Sequence, residues 1–142
     1  MRFFIDTSIF IDCLRKNVVP SSRQFLESLG NEHTGFISSI TVAELSVGAH
    51  LAQRKNALEK TLQLLEITEI IDLDTKIAIE AGEIYASLVK KGKTVELTDC
   101  LIAATALSVG LNKVVTRNIK HFERIPEIVA IEPENIEWDD CS

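Results

Sequence analysis

The chain has 142 residues, a formal net charge of −6, 46% hydrophobic and 25% charged residues, which excludes a disordered or low-complexity protein and fits one globular domain over residues 1–142. That length is enough to bury roughly two-thirds of the unfolded surface without disulfides or structural metal. No apolar run nears the roughly 20 residues of a membrane span, too few residues precede Asp6 for a signal peptide's apolar region, and Cys13, Cys100 and Cys141 show no metal-ligand or redox spacing, so a cytoplasmic address without membrane contact is expected.

The first stretch, Met1 to Ile5, is a short apolar run that stops at Asp6 and passes into Thr7-Ser8. It reads as a buried strand feeding a helix, with a carboxylate left at the strand's C-terminal end. Thr7 or Ser8 is placed to cap a helix reaching about Lys16, on which Asp12 is compatible with a merely solvated role. A second short helix runs from Pro20 through Leu29, and Gly35 to Ser38 reads as a second buried strand. A helix from Thr41 to about Arg54 follows, with Val42, Leu45, Ala49 and Ala52 on one face. Asn56 to Glu66 reads as a helix through Leu58, Leu62 and Leu65, and Thr68 to Leu73 as a third strand.

Asp74 is expected to cap the clearest amphipathic helix, carrying Ile77, Ala78, Ala81, Ile84, Tyr85, Leu88 and Val89 at helical spacing. After Thr98-Asp99 the segment from Cys100 to Val109 is small and apolar nearly all round, so it is expected to be buried against the sheet. Lys113 to Thr116 is a fourth strand, Ile119 to Arg124 a helical turn, Ile128 to Ile131 a last strand, and the tail from Glu132 is acidic. Strands alternating with helices predict an α/β fold, a three-layer α/β/α arrangement around a parallel sheet.

Asp6, Glu44, Asp99 and Asn118 all fall at junctions between these elements. In a doubly wound sheet ordered 3-2-1-4-5 the winding reverses between the first and fourth strands, so Asp6 and Asn118 would face one crevice. Each residue also has a plainer use. Glu44 follows Thr41 at the spacing of a capping box. Asp99 suits the positive end of its helix, although a carboxylate opening the most apolar helix is costly if unpaired. Asn118 fits a turn, and His33, His50 and His121 lack paired spacing and suit surface or cap roles. Ser8 has no G-x-S-x-G context, and no glycine-rich nucleotide motif is present. Net negative charge ordinarily argues against nucleic acid, but acids gathered around a divalent cation would reverse the local sign.

Four stretches, in order, resemble PIN-domain ribonucleases and in particular the VapC-type toxins of toxin–antitoxin pairs: Phe4 to Ser8, Thr41 to Leu45, Thr98 to Ala106, and Val115 to Phe122. The resemblance implies a five-stranded parallel sheet ordered 3-2-1-4-5, a homodimer, and Mg²⁺- or Mn²⁺-dependent cleavage of RNA, with a cognate antitoxin protein as partner. It matches Asp6, Glu44 and Asp99 to the family's metal-binding acids. Where many relatives carry a further Asp, this chain has Asn118 or His121, which implies a weaker second metal.

On that reading Asp6 and Asp99 are the principal ligands, and Glu44 ligates through water or orients the attacking water. Asn118 bonds a coordinated water or phosphate, and Thr7, Ser8 and Thr116 orient the ligands. Arg15, Lys16, Arg54, Lys90, Lys91, Lys93 and Arg117 are candidate phosphate contacts. A housekeeping nuclease of RNA maturation and a non-catalytic binding module are the alternatives.

Overall fold

The computed structural model describes residues 1–138, so Cys141 and the end of the acidic tail lie outside the described residues. Five strands, β1 (Arg2–Ile5), β2 (Thr34–Ser38), β3 (Thr68–Ile71), β4 (Lys113–Val115) and β5 (Val129–Ile131), form one sheet. Every pairing is parallel and the order is β3-β2-β1-β4-β5, as expected. The central β1 is buried on both faces, and alternate side chains enter different cores. Phe3 and Ile5 pack with Phe10, Phe25, Ile37 and Val115 on one side, whereas Phe4 packs with Val114, Ile102 and Phe122 on the other.

Helices cover both faces. The first core is closed by α1 (Thr7–Leu14), α2 (Pro20–Glu27), α3 (Ser39–Leu51) and α4 (Ala57–Leu65). The second is closed by α5 (Thr75–Lys90), α6 (Leu97–Ser108) and α7 (Ile119–Glu123). As its composition predicts, α6 is the most deeply buried helix: Cys100, Ile102, Ala103, Ala104, Thr105 and Ala106 are all buried. It stops where Gly110 adopts a φ of +75°, with the Leu111 N–H returning to the Ala106 carbonyl, the left-handed turn that glycine makes at no steric cost. Among the described residues no helix is long and apolar enough to cross a membrane.

Several boundaries and stripes differ from the sequence expectation, each for a local reason. Neither Thr7 nor Ser8 caps α1; Asp6 does, its carboxylate accepting the Ser8 N–H. Helix α3 begins at Ser39 because the Ser38 hydroxyl accepts the Ile40 N–H. Thr41 is therefore inside the helix and no capping box forms with Glu44. Helix α6 starts at Leu97, three residues before Cys100, which puts Asp99 within its first turn. On α5 the buried residues are Ile77, Ala81 and Leu88, while Tyr85 and Val89 face solvent. On α4, Leu65 and Thr61 are buried and Leu58 and Leu62 are not.

The cap of α5, just past the edge strand β3, is the clearest local determinant outside the carboxylate cluster. Asp74 Oδ1 accepts the Ile77 N–H at 2.8 Å, so Asp74→Ala should cost about 1 kcal/mol of stability in urea unfolding, with no change in whatever activity the carboxylates support.

Candidate active site

The C-terminal end of β1 is where the sheet's winding reverses, and Asp6 is the first residue past it. Its backbone N–H still bonds the Val115 carbonyl of β4 at 2.9 Å, so the side chain is held at the mouth of the β1–β4 crevice, only 2% exposed. A carboxylate so buried needs donors. Oδ2 accepts the Ser8 hydroxyl at 2.7 Å, the Thr116 hydroxyl at 2.8 Å and, more weakly, the Ser8 N–H at 3.4 Å. Every recorded bond falls on Oδ2, and Oδ1 accepts none from the described residues. Ser8 is thus an orienter of Asp6 rather than a nucleophile, and Thr116, the residue after β4, is its counterpart across the crevice.

Glu44 projects from the middle of α3 toward the same end of the sheet. The single proton of the Thr7 hydroxyl goes to Glu44 Oε1 at 2.8 Å, so the 2.8 Å contact between the Thr7 and Thr41 hydroxyls is Thr41 donating to Thr7. Thr41 therefore reaches Glu44 by a relay of side chains, not by the reciprocal backbone bonds of a capping box. Desolvation raises the Glu44 pKa, and the Asp6 and Glu96 charges add to the rise against the Thr7 hydrogen bond.

Asp99 is 7% exposed. Burial first, then the Asp6 charge, push its pKa up to about 6, with Glu96 and Glu44 adding and His121 opposing. His121 Nδ1 lies 3.5 Å from Asp99 Oδ2. Asp6, Glu44 and Asp99 thus share one electrostatic neighbourhood. Glu96 and His121 belong to it too. Glu96 stands three residues before Asp99, one turn of helix, a spacing that could have pointed to it; His121 lacks the paired spacing of a ligand, and only the resemblance put it at the position of a further acid.

Asn118 differs from the other three. It is exposed, its backbone N–H bonds the Thr116 hydroxyl at 2.9 Å, and its side chain makes no capping bond to α7. It lines an open cleft of about 340 Å³ with Lys120, His121 and Glu132, beside the carboxylates rather than among them.

Two readings need correction. Asp12 is buried, not solvated, and it pairs with Arg117 at 2.9 Å. Arg117 is no candidate for phosphate, because Asp12, Glu132, Glu134, Ser21 and Ser22 take its guanidinium. Burial also pushes the Cys100 thiol, next to Asp99, up to about 11, so it stays protonated.

The donors at this site are carboxylate oxygens, the hard ligands that Mg²⁺ and Mn²⁺ prefer. Among the described residues no three His, Cys, Asp or Glu side chains stand close enough to enclose an ion by themselves. A Mg²⁺-type ion keeps several waters and is typically held by one or two carboxylates plus substrate phosphate. The residues fit such an ion in kind, and Asp6 Oδ1 has its lone pairs uncommitted.

Residues 3–128 match the family described as PIN domain. Over 140 residues the chain is 35% identical to "Ribonuclease VapC2" of Rickettsia felis, covering 98% of this chain and 99% of that protein. It is 37% identical over 134 residues to "tRNA(fMet)-specific endonuclease VapC" of Salmonella typhimurium, 90% of this chain and 95% of the relative. Among solved structures it resembles VapBC2 from Rickettsia felis bound to a promoter DNA fragment, with a TM-score of 0.79, 33% identity and coverage of 93% and 98%. Toward DNA-bound VapBC from Salmonella typhimurium the TM-score is 0.75 at 36% identity, covering 94% and 98%.

The raised pKa of Asp99 makes ionisation unfavourable to the folded state. Its destabilisation is complete above about pH 6 and fades as pH falls toward the ordinary carboxylate value, where both states are protonated. In EDTA at pH 7.5, Asp99→Asn should therefore stabilise the protein by about 1–3 kcal/mol, a gain that disappears near pH 4 when thermal unfolding is followed across pH.

Proposed function

The chain belongs to the PIN-domain family and to its VapC-type ribonucleases, and on that footing we propose that it is a divalent-metal-dependent endoribonuclease acting as the toxin of a toxin–antitoxin pair. The observation that carries the catalytic part is the buried Asp6 carboxylate, oriented through one oxygen and open at the other, within electrostatic reach of Asp99 and Glu44. Similarity over nearly the full length to proteins named as ribonucleases and to VapBC complexes supports the biological role.

Asp6, through Oδ1, and Asp99 would hold Mg²⁺ or Mn²⁺. Such an ion supplies Lewis acidity toward phosphate oxygens and acidifies water at its surface. Hydrolysis adds water across a P–O bond of RNA: the bond from phosphorus to the ribose oxygen breaks, that oxygen takes a proton from solvent to become a hydroxyl, and the water oxygen bonds to phosphorus while giving up one proton. Glu44 Oε2, the oxygen that Thr7 does not bind, receives that proton. Its raised pKa suits it to the task. Thr7 fixes the glutamate's rotamer, and Ser8 and Thr116 fix Asp6. Asn118 offers an uncommitted amide to the substrate phosphate or its waters from the rim of the cleft.

The antitoxin's seat is the groove of about 330 Å³ between α1, α3 and α4, lined by Ile11, Leu14, Leu45 and Ala49, with Glu44 and the basic Arg15, Arg54 and Lys60 also on its walls. A partner segment that lays an apolar face there would bring a basic side chain onto the carboxylates and neutralise them.

Purified protein should cut labelled total RNA or transfer RNA with Mg²⁺ or Mn²⁺ and not in EDTA, and Asp6→Asn should lower the rate about a hundredfold or more; cutting that persists in EDTA or in the variant would refute the mechanism. Saturating Mn²⁺ should raise the melting temperature, equivalent to about 2–3 kcal/mol at a hundred times Kd, and Asp99→Asn should remove most of that gain. Growth arrest on expression, relieved by the partner, separates a toxin from a housekeeping nuclease.

A further inference from the structure

The two hydroxyls that orient Asp6 are themselves set by the backbone just past β4. Ser8 gives its proton to Asp6 Oδ2 and accepts the Arg117 N–H at 3.0 Å. Thr116 gives its proton to the same oxygen and accepts the Asn118 N–H at 2.9 Å. The placement of residues 116–118 therefore decides where Asp6 points. β4 ends at Val115, and the Thr116 N–H is tied to the Ile131 carbonyl. Beyond that, the anchor of this segment is the Arg117 side chain.

All five N–H donors of that guanidinium are used. Nε donates to Asp12 Oδ2 at 2.9 Å on α1. Nη2 donates to Ser21 and Ser22 at 2.8 and 2.9 Å at the start of α2. Nη1 donates to Glu134 at 2.6 Å and to Glu132 at 3.2 Å, both after β5. Ser22 also donates to Asp12 Oδ2 at 2.7 Å. The planar fork thus ties three separate segments to one backbone position, a geometry that the compact ammonium of lysine does not reproduce. Glu132 and Glu134 lie beyond residues 3–128, the part that matches the PIN domain.

We infer that Arg117 is a positioning residue for the Asp6 carboxylate, clamped by Asp12 and by Glu132 and Glu134, so that the segment after β5 helps set how tightly the site holds a divalent cation. This rests on the reading of Asp6 as a metal ligand. Outer partners of metal ligands commonly change affinity by about 10- to 100-fold, so an effect on cation affinity is the expected signature, distinct from a loss of stability alone.

The test is Mn²⁺ calorimetry on the full chain, comparing wild type with Asp6→Asn, Arg117→Lys, Ser8→Ala, Ser8→Ala/Arg117→Lys and Glu132→Ala/Glu134→Ala. Thermal unfolding run in parallel reports folding. Arg117→Lys should weaken Mn²⁺ binding about tenfold and the double glutamate variant about threefold. Because Ser8 and Arg117 act through the same carboxylate, the Ser8→Ala/Arg117→Lys variant should bind within about twofold of the weaker single variant. Wild-type affinity in Arg117→Lys and in the glutamate pair, or losses that multiply in Ser8→Ala/Arg117→Lys, would overturn the inference. Should Arg117→Lys not fold, the glutamate pair decides alone, since both side chains are well exposed at 38% and 45%. Wild type that binds no Mn²⁺, or Asp6→Asn that binds it as tightly, would overturn the metal reading and this inference together.

Discussion

A carboxylate buried at the end of a central β-strand has to be met by hydrogen-bond donors, and the cost of leaving one unmet runs to several kcal/mol. Asp6 is in that position, and much of the rest of the chain is arranged around it. Its donors come from the first turn of α1 and from the residue following β4, which are more than a hundred residues apart in sequence and adjacent only because β4 lies beside β1. The sheet order is therefore a condition of the site: any other neighbour for β1 would leave Asp6 without Thr116.

The two acidic neighbourhoods of this end of the molecule are built in opposite ways. Around Arg117, Asp12, Glu132 and Glu134 share one guanidinium, and the opposite charges bring distant segments together. Around Asp6, the charges of Glu44, Asp99 and Glu96 crowd without an arginine or lysine paired to them among the described residues. Burial and repulsion there hold Asp99 and Glu44 above the usual carboxylate range, and His121 offsets only part of it. Like charges held together by a fold are a standing cost, and a divalent cation is the ordinary means by which such a cost is relieved. The net charge of −6 is thus spread over parts with different uses, and by itself it says little about whether phosphate can approach.

Packing gives these charges their rigidity. The alternation of Phe3 and Ile5 against Phe4 commits β1 to both cores at once, so a shift by one residue would turn every side chain to the wrong face. Gly35 shows how tight the fit is on one side: a Cβ there would come within 2.7 Å of the Ile5 side chain and 2.8 Å of Leu29. On the outer surface of α4 the restraint lapses, and Leu58 and Leu62 are exposed beside the apolar groove that ends at Glu44. The groove also carries Arg15, Arg54 and Lys60, so a partner seated there meets apolar surface flanked by charges of both signs.

The strand and helix sequence, the parallel sheet, and the junction positions of Asp6, Asp99 and Asn118 were legible in the order of residues, because hydrophobic period and helix starts are local properties of the chain; Glu44 instead stands in the middle of α3, which begins at Ser39. So was the buried character of α6, whose small apolar residues leave no polar face. Hidden from the sequence were the partners that cross between elements. Thr41 looked like a cap for Glu44 and instead supports it through Thr7. Arg117 looked free for phosphate and is fully engaged, Asp12 looked solvated and is buried against it, and His121, whose spacing suited a surface or cap role, lies beside Asp99. Spacing along a helix or strand fixes which face a residue occupies, but a hydrogen bond or ion pair between segments depends on the relative position of two elements, and that is decided only when the whole sheet closes its two cores.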